Sequence, residues 1–487
     1  MVRNPIVARF GGIPSPFQAR FRRKRPDLHT AWLYPDRLPR FVAECPPAMR
    51  ILGLIGSIPW SQFPERNLQR NWGQVTIPYA AFSAACLLKL NEGLVSMADL
   101  RQYLLEHPAF IWLLGFPLIP SHRSSCGFDP AASLPTQRHL TQMLRDIPNS
   151  SLQFLLHHSV RLLLAEFRAL GLAGVGDCIS LDTKHILAWV KENNPKAYLS
   201  DRFDKEKQPA GDPDCKLGCK RSHNRGILPP ESTTPLRNPV PANQVTVGEY
   251  YWGYGSGVIT VKVPTWGEFV LAEMTQTFDK PDVSYFFPLM RQSEQRLGFR
   301  PRFGTFDAAF DAFYVYDYFH RPDDPLAFAA VPFSEKGGYK VTGRSFNPEG
   351  LPLCKAGLPM PLLFTFTDRT TCLIAHERGK YVCPLRSSAQ SCPVNHERWN
   401  KGGCTAMMPT SSGARLRYTL DRQSQRYKDI YKQRTAVERI NSQAVNLGIE
   451  RPHNRNGQAI ANINTLIYTL INLRLLERIH NRQPENL

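Results

Sequence analysis

The sequence predicts an α/β protein: a mixed sheet flanked by helices, preceded by an all-helical domain and interrupted by a Cys-containing insertion. Three observations predict it. Apolar residues recur at helical spacing between Ile77 and Leu172. Beyond Gly174 the pattern changes to short apolar runs of strand type, which then alternate with helical segments. Residues 334–425 break this alternation with Gly, Pro, Cys and basic residues, and a helical pattern resumes near Arg426.

The elements follow in order. Residues 1–58 are rich in Pro, Arg and aromatic residues around the run Arg20 to Arg25, and read as a basic, flexible N-terminal arm. Residues 59–172 form the helical, DNA-binding candidate domain. Within it Ile77 to Leu90 is apolar and Ala-rich, Ser96 with Asp99 three residues on makes a capping box, and Ser151 to Leu172 repeats Leu at helical spacing. Residues 173–333 carry the first part of the α/β core. Its strands are Asp177–Ile186, Tyr250–Val263, Glu268–Thr277, Arg302–Phe306 and Leu326–Phe333; its helices are Val283–Gly298 and Ala312–His320. A polar, Pro-rich loop occupies residues 201–245. Residues 334–425 are the insertion, and residues 426–487 return to the core as helices, the last an apolar-faced helix over Gln458–Arg478.

Bulk numbers narrow the partners. A chain of 487 residues with 42% hydrophobic and 21% charged residues is globular, with roughly two to four domains as the prior. A formal net charge of +19 draws polyanions. The charge-free apolar run Ala109–Pro120 is too short to span a bilayer and holds two prolines, so no membrane partner is expected. The N-terminus has arginines and no apolar signal core, and eleven scattered cysteines suit a reducing cytoplasmic compartment.

Three acidic residues carry the chemistry. Asp182 ends the run Ile179-Ser-Leu-Asp, and Asp307 ends Phe303-Gly-Thr-Phe-Asp. Glu438 follows Tyr431 and Arg434 at spacings of three and four, which puts all three on one helix face. Carboxylates brought together repel unless a cation sits between them. Hard cations such as Mg²⁺ or Mn²⁺ prefer such oxygens, and a pair of them can drive in-line displacement at phosphorus. Asp311 competes with Asp307, but Asp307 follows its strand directly and is preferred.

These segments, Ile179–Thr183, Phe306–Ala312 and Tyr431–Arg439, resemble the three acidic blocks of bacterial insertion-sequence transposases of the DDE class, in the branch with a Tyr-Arg-Glu signature. The resemblance spans roughly Ile77 to Leu476. It implies an RNase H-like core, with Asp182, Asp307 and Glu438 as catalytic ligands of two Mg²⁺ or Mn²⁺ ions. It further implies endonucleolytic cleavage at element ends and transfer of the freed 3′-hydroxyl into target DNA. The implied partner is double-stranded DNA, bound by a homodimer associated with the bacterial nucleoid. Tyr431, Arg434, Arg439, Lys184 and Arg451 are the implied DNA contacts. One departure stands out: seven residues after the Glu the branch carries a lysine, and here Val445 occupies that position. Arg451, His453 or Arg455 then takes over that contact, or the chain belongs to a neighbouring branch. A DNA-binding protein derived from a transposase but without activity, and a nuclease that cuts without joining, are the rival readings.

The insertion adds Cys383, Cys392, His396 and Cys404, soft donors that could hold a structural Zn²⁺, although their spacing is looser than a zinc knuckle. Cys215, Cys219 and His223 form a weaker set. For both sets, reduced and partly buried thiols are the plainer reading.

Overall fold

The computed structural model describes residues 25–68, 76–199, 201–220, 249–333, 345–369, 374–388, 390–394, 397 and 399–482. The chain before residue 25, most of the 201–245 loop, and His223 and His396 lie outside them.

The stretch expected to be an arm is helical from Leu28 onward. Helix α1 (Leu28–Leu33) is capped by Asp27, whose carboxylate accepts from the backbone N–H of His29 and Thr30. Helix α2 (Pro46–Ile55) has a proline in its first turn. There the missing N–H costs nothing, so the Pro density that read as disorder instead starts helices. Leu28, Ala31, Val42, Ile51, Leu52 and Ile55 are buried in the main core.

Further along, α3 (Tyr79–Asn91) is buried on nearly every side, and α4 (Met97–Glu106) starts with the expected Ser96–Asp99 capping box. Short α5 (Pro108–Leu113) is buried over Ala109–Leu113. Helices α6 (Gln137–Asp146) and α7 (Asn149–Ala169) complete this region. One hydrophobic cluster runs from Leu28 through the sheet to Ile479, so the helical region shares its core with the strands.

The sheet is mixed. Strand β1 (Cys178–Leu187) lies between antiparallel β3 (Glu249–Val263) and parallel β5 (Phe303–Thr305). Beyond β5 lies parallel β6 (Phe328–Ala330), shorter than the predicted Leu326–Phe333. On its other edge β3 pairs with β2 (Lys216–Lys220) and then with β4 (Gly267–Thr277). Gly255 and Gly257 clear one face of β3 for the Tyr285 ring: a Cβ built at Gly257 would stand 2.3 Å from it. Tyr285 leads into α8 (Phe286–Leu297), which covers that face.

The opposite face is covered from the C-terminus. Helices α11 (Gln425–Tyr431) and α12 (Thr435–Asn446) precede α13 (Gly457–Arg482). Helix α13 is long and apolar enough to cross a membrane, and 89% of its most apolar window is buried inside the protein. Several of its buried polar residues bond across to other elements. Asn472 accepts from the Val270 N–H (2.7 Å) and donates to the Val270 carbonyl (2.8 Å), acting as a strand neighbour for β4. Thr465 and Gln153 donate to Glu273, a buried carboxyl pushed up to about 7 by its burial.

The insertion holds an antiparallel sheet of β7 (Leu362–Asp368), β8 (His376–Val382) and β9 (Thr405–Pro409), over a small core of Cys354, Met360, Tyr381, Ala406 and Met408. Its last helix, α10 (Ser412–Thr419), docks on α9 (Phe313–Phe319). There Arg417 donates twice to Asp311, at 2.8 and 2.6 Å, and the Asp311 side chain is fully buried. Tyr316 donates a further hydrogen bond to the same carboxylate.

Removing one partner of a buried ion pair strands the other charge. Arg417→Met should therefore cost about 3–5 kcal/mol in urea unfolding, and Asp311→Leu combined with it should restore most of that loss. Equal instability in the single and double variants would show that this pair does not hold the insertion to the core.

Candidate active site at the ends of two parallel strands

Register brings the two aspartates together. Ser180 of β1 is opposite Thr305 of β5. The Thr305 hydroxyl donates to Ser180 Oγ at 2.8 Å, so both side chains point to the same face. Side chains alternate along a strand, and Asp182 and Asp307 each come two residues later. They therefore emerge at one level on that face, from neighbouring strands. The backbone turns at Asp307, whose carboxylate caps a short 3₁₀ turn by accepting from the Ala309 N–H (2.9 Å).

The same hydroxyls position the glutamate's helix. Ser180 Oγ donates to the carbonyl of Gln433 at 2.9 Å. Gln433 lies in the 3₁₀ turn Lys432–Arg434 that joins α11 to α12. Helix α11 is held in turn by Tyr427, which stacks between Phe328 of β6 and Tyr431. This anchoring suspends Arg434 over Asp182, with Nη2 3.6 Å from Oδ2. One turn on, Glu438 accepts from Arg434 Nη1 at 2.7 Å. Asn441 approaches Asp182 from the next turn, 3.4 Å away.

Charges in this cluster act on each other. Burial pushes the Asp182 carboxyl up to about 6; Arg434 opposes the shift and Asp307 adds to it. Burial also raises the Tyr431 phenol, against Arg434 and with Asp307, Glu438 and Asp182. For Arg434, burial works against the charge, and Asp182, Tyr431, Glu438 and Asp307 together outweigh it. The guanidinium is thus the local counter-charge for the carboxylates.

The donor chemistry suits a hard divalent cation in part. Asp182 and Asp307 are oxygen donors at one level whose mutual repulsion a cation would relieve. Glu438 is half exposed and engaged by Arg434. Among the described residues no three His, Cys, Asp or Glu side chains stand close enough to hold a metal. A ligand set of Asp182, Asp307 and Glu438 therefore requires Glu438 to leave Arg434.

Other expected residues are less central. Lys184 shares the face of Asp182 but pairs with Glu450 at 3.6 Å. Arg439 turns to the far flank of α12 and pairs with Glu268 at 2.6 Å. Arg451 is exposed in the loop that crosses the end of β1, where the Glu450 carbonyl accepts from the Leu187 N–H. His453 and Arg455 gather around Trp189 in the same loop region. Asp311 serves the Arg417 pair, so Asp307 is the aspartate that neighbours Asp182. In the insertion Cys383 is buried, and Cys392 and Cys404 are partly buried free thiols; His396 lies outside the described residues. Cys215 is buried against Asp212 and Gln208.

Sequence reasoning missed Ser180, Thr305 and Asn441. A signal was present for the first two: a hydroxyl stands two residues before the aspartate in both Ser180-Leu-Asp182 and Thr305-Phe-Asp307.

The Asp182 carboxyl binds its proton more tightly in the folded protein, about 6 against an ordinary 3.8. Its contribution to stability is complete below the unfolded value and is lost as pH rises through the folded one. In metal-free buffer, Asp182→Asn should gain on the parent protein between pH 4 and 6, reaching about 2–3 kcal/mol above that range. Thermal unfolding at several pH values measures the difference; a gap independent of pH would contradict the assignment.

Set against protein-family models, curated proteins and solved structures, the chain matches none of them.

Proposed function

We propose that this protein is a metal-dependent DNA strand transferase of the DDE transposase type, with an RNase H-like core. The observation that carries the reading is the juxtaposition of Asp182 on β1 and Asp307 just past the end of parallel β5, beneath the turn that bears Arg434 and the helix that bears Glu438. The strand order supports it: β4, β3 and β1 run antiparallel to one another in turn, and β5 and β6 extend the sheet in parallel from β1. That is the arrangement an RNase H-like core requires. The net charge of +19 supports a polyanionic substrate, double-stranded DNA, and the transposase reading carries with it a homodimer on DNA.

Asp182 and Asp307 would hold the cations, and Glu438 would complete the set on releasing Arg434. Divalent ions bound there would activate the attacking oxygen and stabilise the leaving one. Arg434, freed from Glu438, stands beside Asp182 as a donor for a non-bridging oxygen of the scissile phosphate. Tyr431, half-buried against Tyr427, keeps the turn before α12 in place. Asp182 and Asn441 are within reach of each other, so the amide orients that carboxylate. The Arg434–Glu438 pair also gives one argument for the second reading, a DNA-binding derivative that no longer cleaves, because it occupies the third carboxylate.

Cleavage and joining are tested on the DNA that flanks the gene. With Mg²⁺ or Mn²⁺ the parent protein should nick that DNA and join pre-cut ends to a target plasmid. Asp182→Asn, Asp307→Asn and Glu438→Gln should each fall to background while still binding DNA. Cleavage that persists in all three variants or in EDTA rejects the proposal; binding without any cleavage by the parent favours the second reading.

A further inference from the structure

A second site lies across α12 from the carboxylates. A cleft of about 430 Å³ is lined by Arg50 of α2, Asn91 at the end of α3, Gln443 of α12, and Arg474, Glu477 and Arg478 of α13. Among the lining residues three guanidiniums face the carboxylate of Glu477, and Glu92, bonded to Asn91 at 3.1 Å, lies close enough to act on Arg474. Arg474 is fixed in place, donating from Nε and Nη2 to Asn91 Oδ1 at 3.2 and 3.0 Å. Among the described residues Arg50 and Arg478 make no hydrogen bond or ion pair, and no arginine of the cleft lies within ion-pair distance of Glu477. Burial pulls the Arg474 pKa down against the opposing pull of Glu477 and Glu92.

We propose that this cleft binds a phosphate group. Arginine forks match the paired oxygens of a phosphate, and the excess of positive charge in a concave, partly desolvated setting favours an anion over water. The contributors come from both ends of the chain, so an occupant would tie the N-terminal helices to α12 and α13.

Two sources share this chemistry: the backbone of a duplex, or a free nucleotide. Geometry favours the duplex. Asn441 reaches Asp182, and Gln443, two residues on and so about 200° round the helix, lines the cleft. The two sites are thus separated by roughly one helix diameter, about 10–12 Å, comparable to the width of a major groove of about 12 Å. A duplex lying over α12 would offer phosphates to both flanks. The duplex source rests on the nucleic-acid reading above, whereas the phosphate chemistry does not depend on it.

The experiment measures binding alone, in EDTA, so that failure of the metal reading does not affect it. Fluorescence anisotropy of a labelled 40-base-pair duplex is followed through a salt series, using the full chain, Arg50→Gln/Arg478→Gln, and Arg291→Gln on α8 with Lys205→Gln as an exposed, charge-matched control. Both cleft arginines are exposed, and melting curves confirm that the variants fold. Each lost phosphate contact lowers the slope of log K against log salt by about 0.9. The cleft variant should lose about two units of slope and about 10-fold in affinity, and the control should lose less than half of that. In parallel, ATP is titrated by calorimetry without DNA. ATP binding that disappears in the cleft variant, with an unchanged duplex slope, assigns the site to a free nucleotide and upholds it as a phosphate site. An unchanged slope together with unchanged ATP binding, or an equal loss in the control, overturns the proposal.

Discussion

The hydrogen-bonded chain from Thr305 through Ser180 to the Gln433 carbonyl is the constraint on which the site depends. It joins three segments far apart in sequence: the central strand, its parallel neighbour and the turn before α12. The hydroxyls are buried, so breaking the chain would leave polar groups without water or a partner, a cost of about 1–3 kcal/mol for each. That penalty holds the register of β1 against β5 and the axial position of α12 together. The level of Asp182 and Asp307, and the reach of Arg434 and Glu438, follow from it.

Charge compensation is the second layer. Two aspartates at one level on adjacent strands are unfavourable without a cation. Here Arg434 supplies it, and Glu438 neutralises the excess on the solvent side. The exposed members of the cluster are Glu438 and, in part, its arginine, while Asp182 is held within β1. Elsewhere buried charge is treated differently. The Arg417–Asp311 pair is sealed, with both oxygens bonded, and serves to fasten the insertion to α9. Burial and solvent access separate these two roles, although residue type is the same.

Much of the site was legible in the chain because strand ends and helical spacing are local properties. The run before Asp182, the run before Asp307 and the spacing of Tyr431, Arg434 and Glu438 reflect local backbone geometry. That last stretch is nevertheless not one helix: Tyr431 ends α11, Arg434 lies in the 3₁₀ turn, and Glu438 is on α12. The N-terminal helices were not legible, since prolines at helix starts and in loops look alike until the packing of Leu28, Ile51 and Ile55 is seen. The last helix was read as apolar-faced, yet Asn462, Asn464 and Asn472 are buried in it. Asn472 completes the edge of β4, a role that depends on a strand about 200 residues away.

By itself the sequence determined the alternation of helix and strand, the basic surplus, and which carboxylates end apolar runs. These are set by short-range sterics and by composition. Only the tertiary structure decided that β1 and β5 pair in parallel at Ser180 and Thr305, that Asp311 is sealed against Arg417 while Asp307 faces Asp182, and that arginines from α2 and α13 line one cleft. Such outcomes turn on register and burial. Both are properties of contacts between distant segments, and a linear pattern does not contain them.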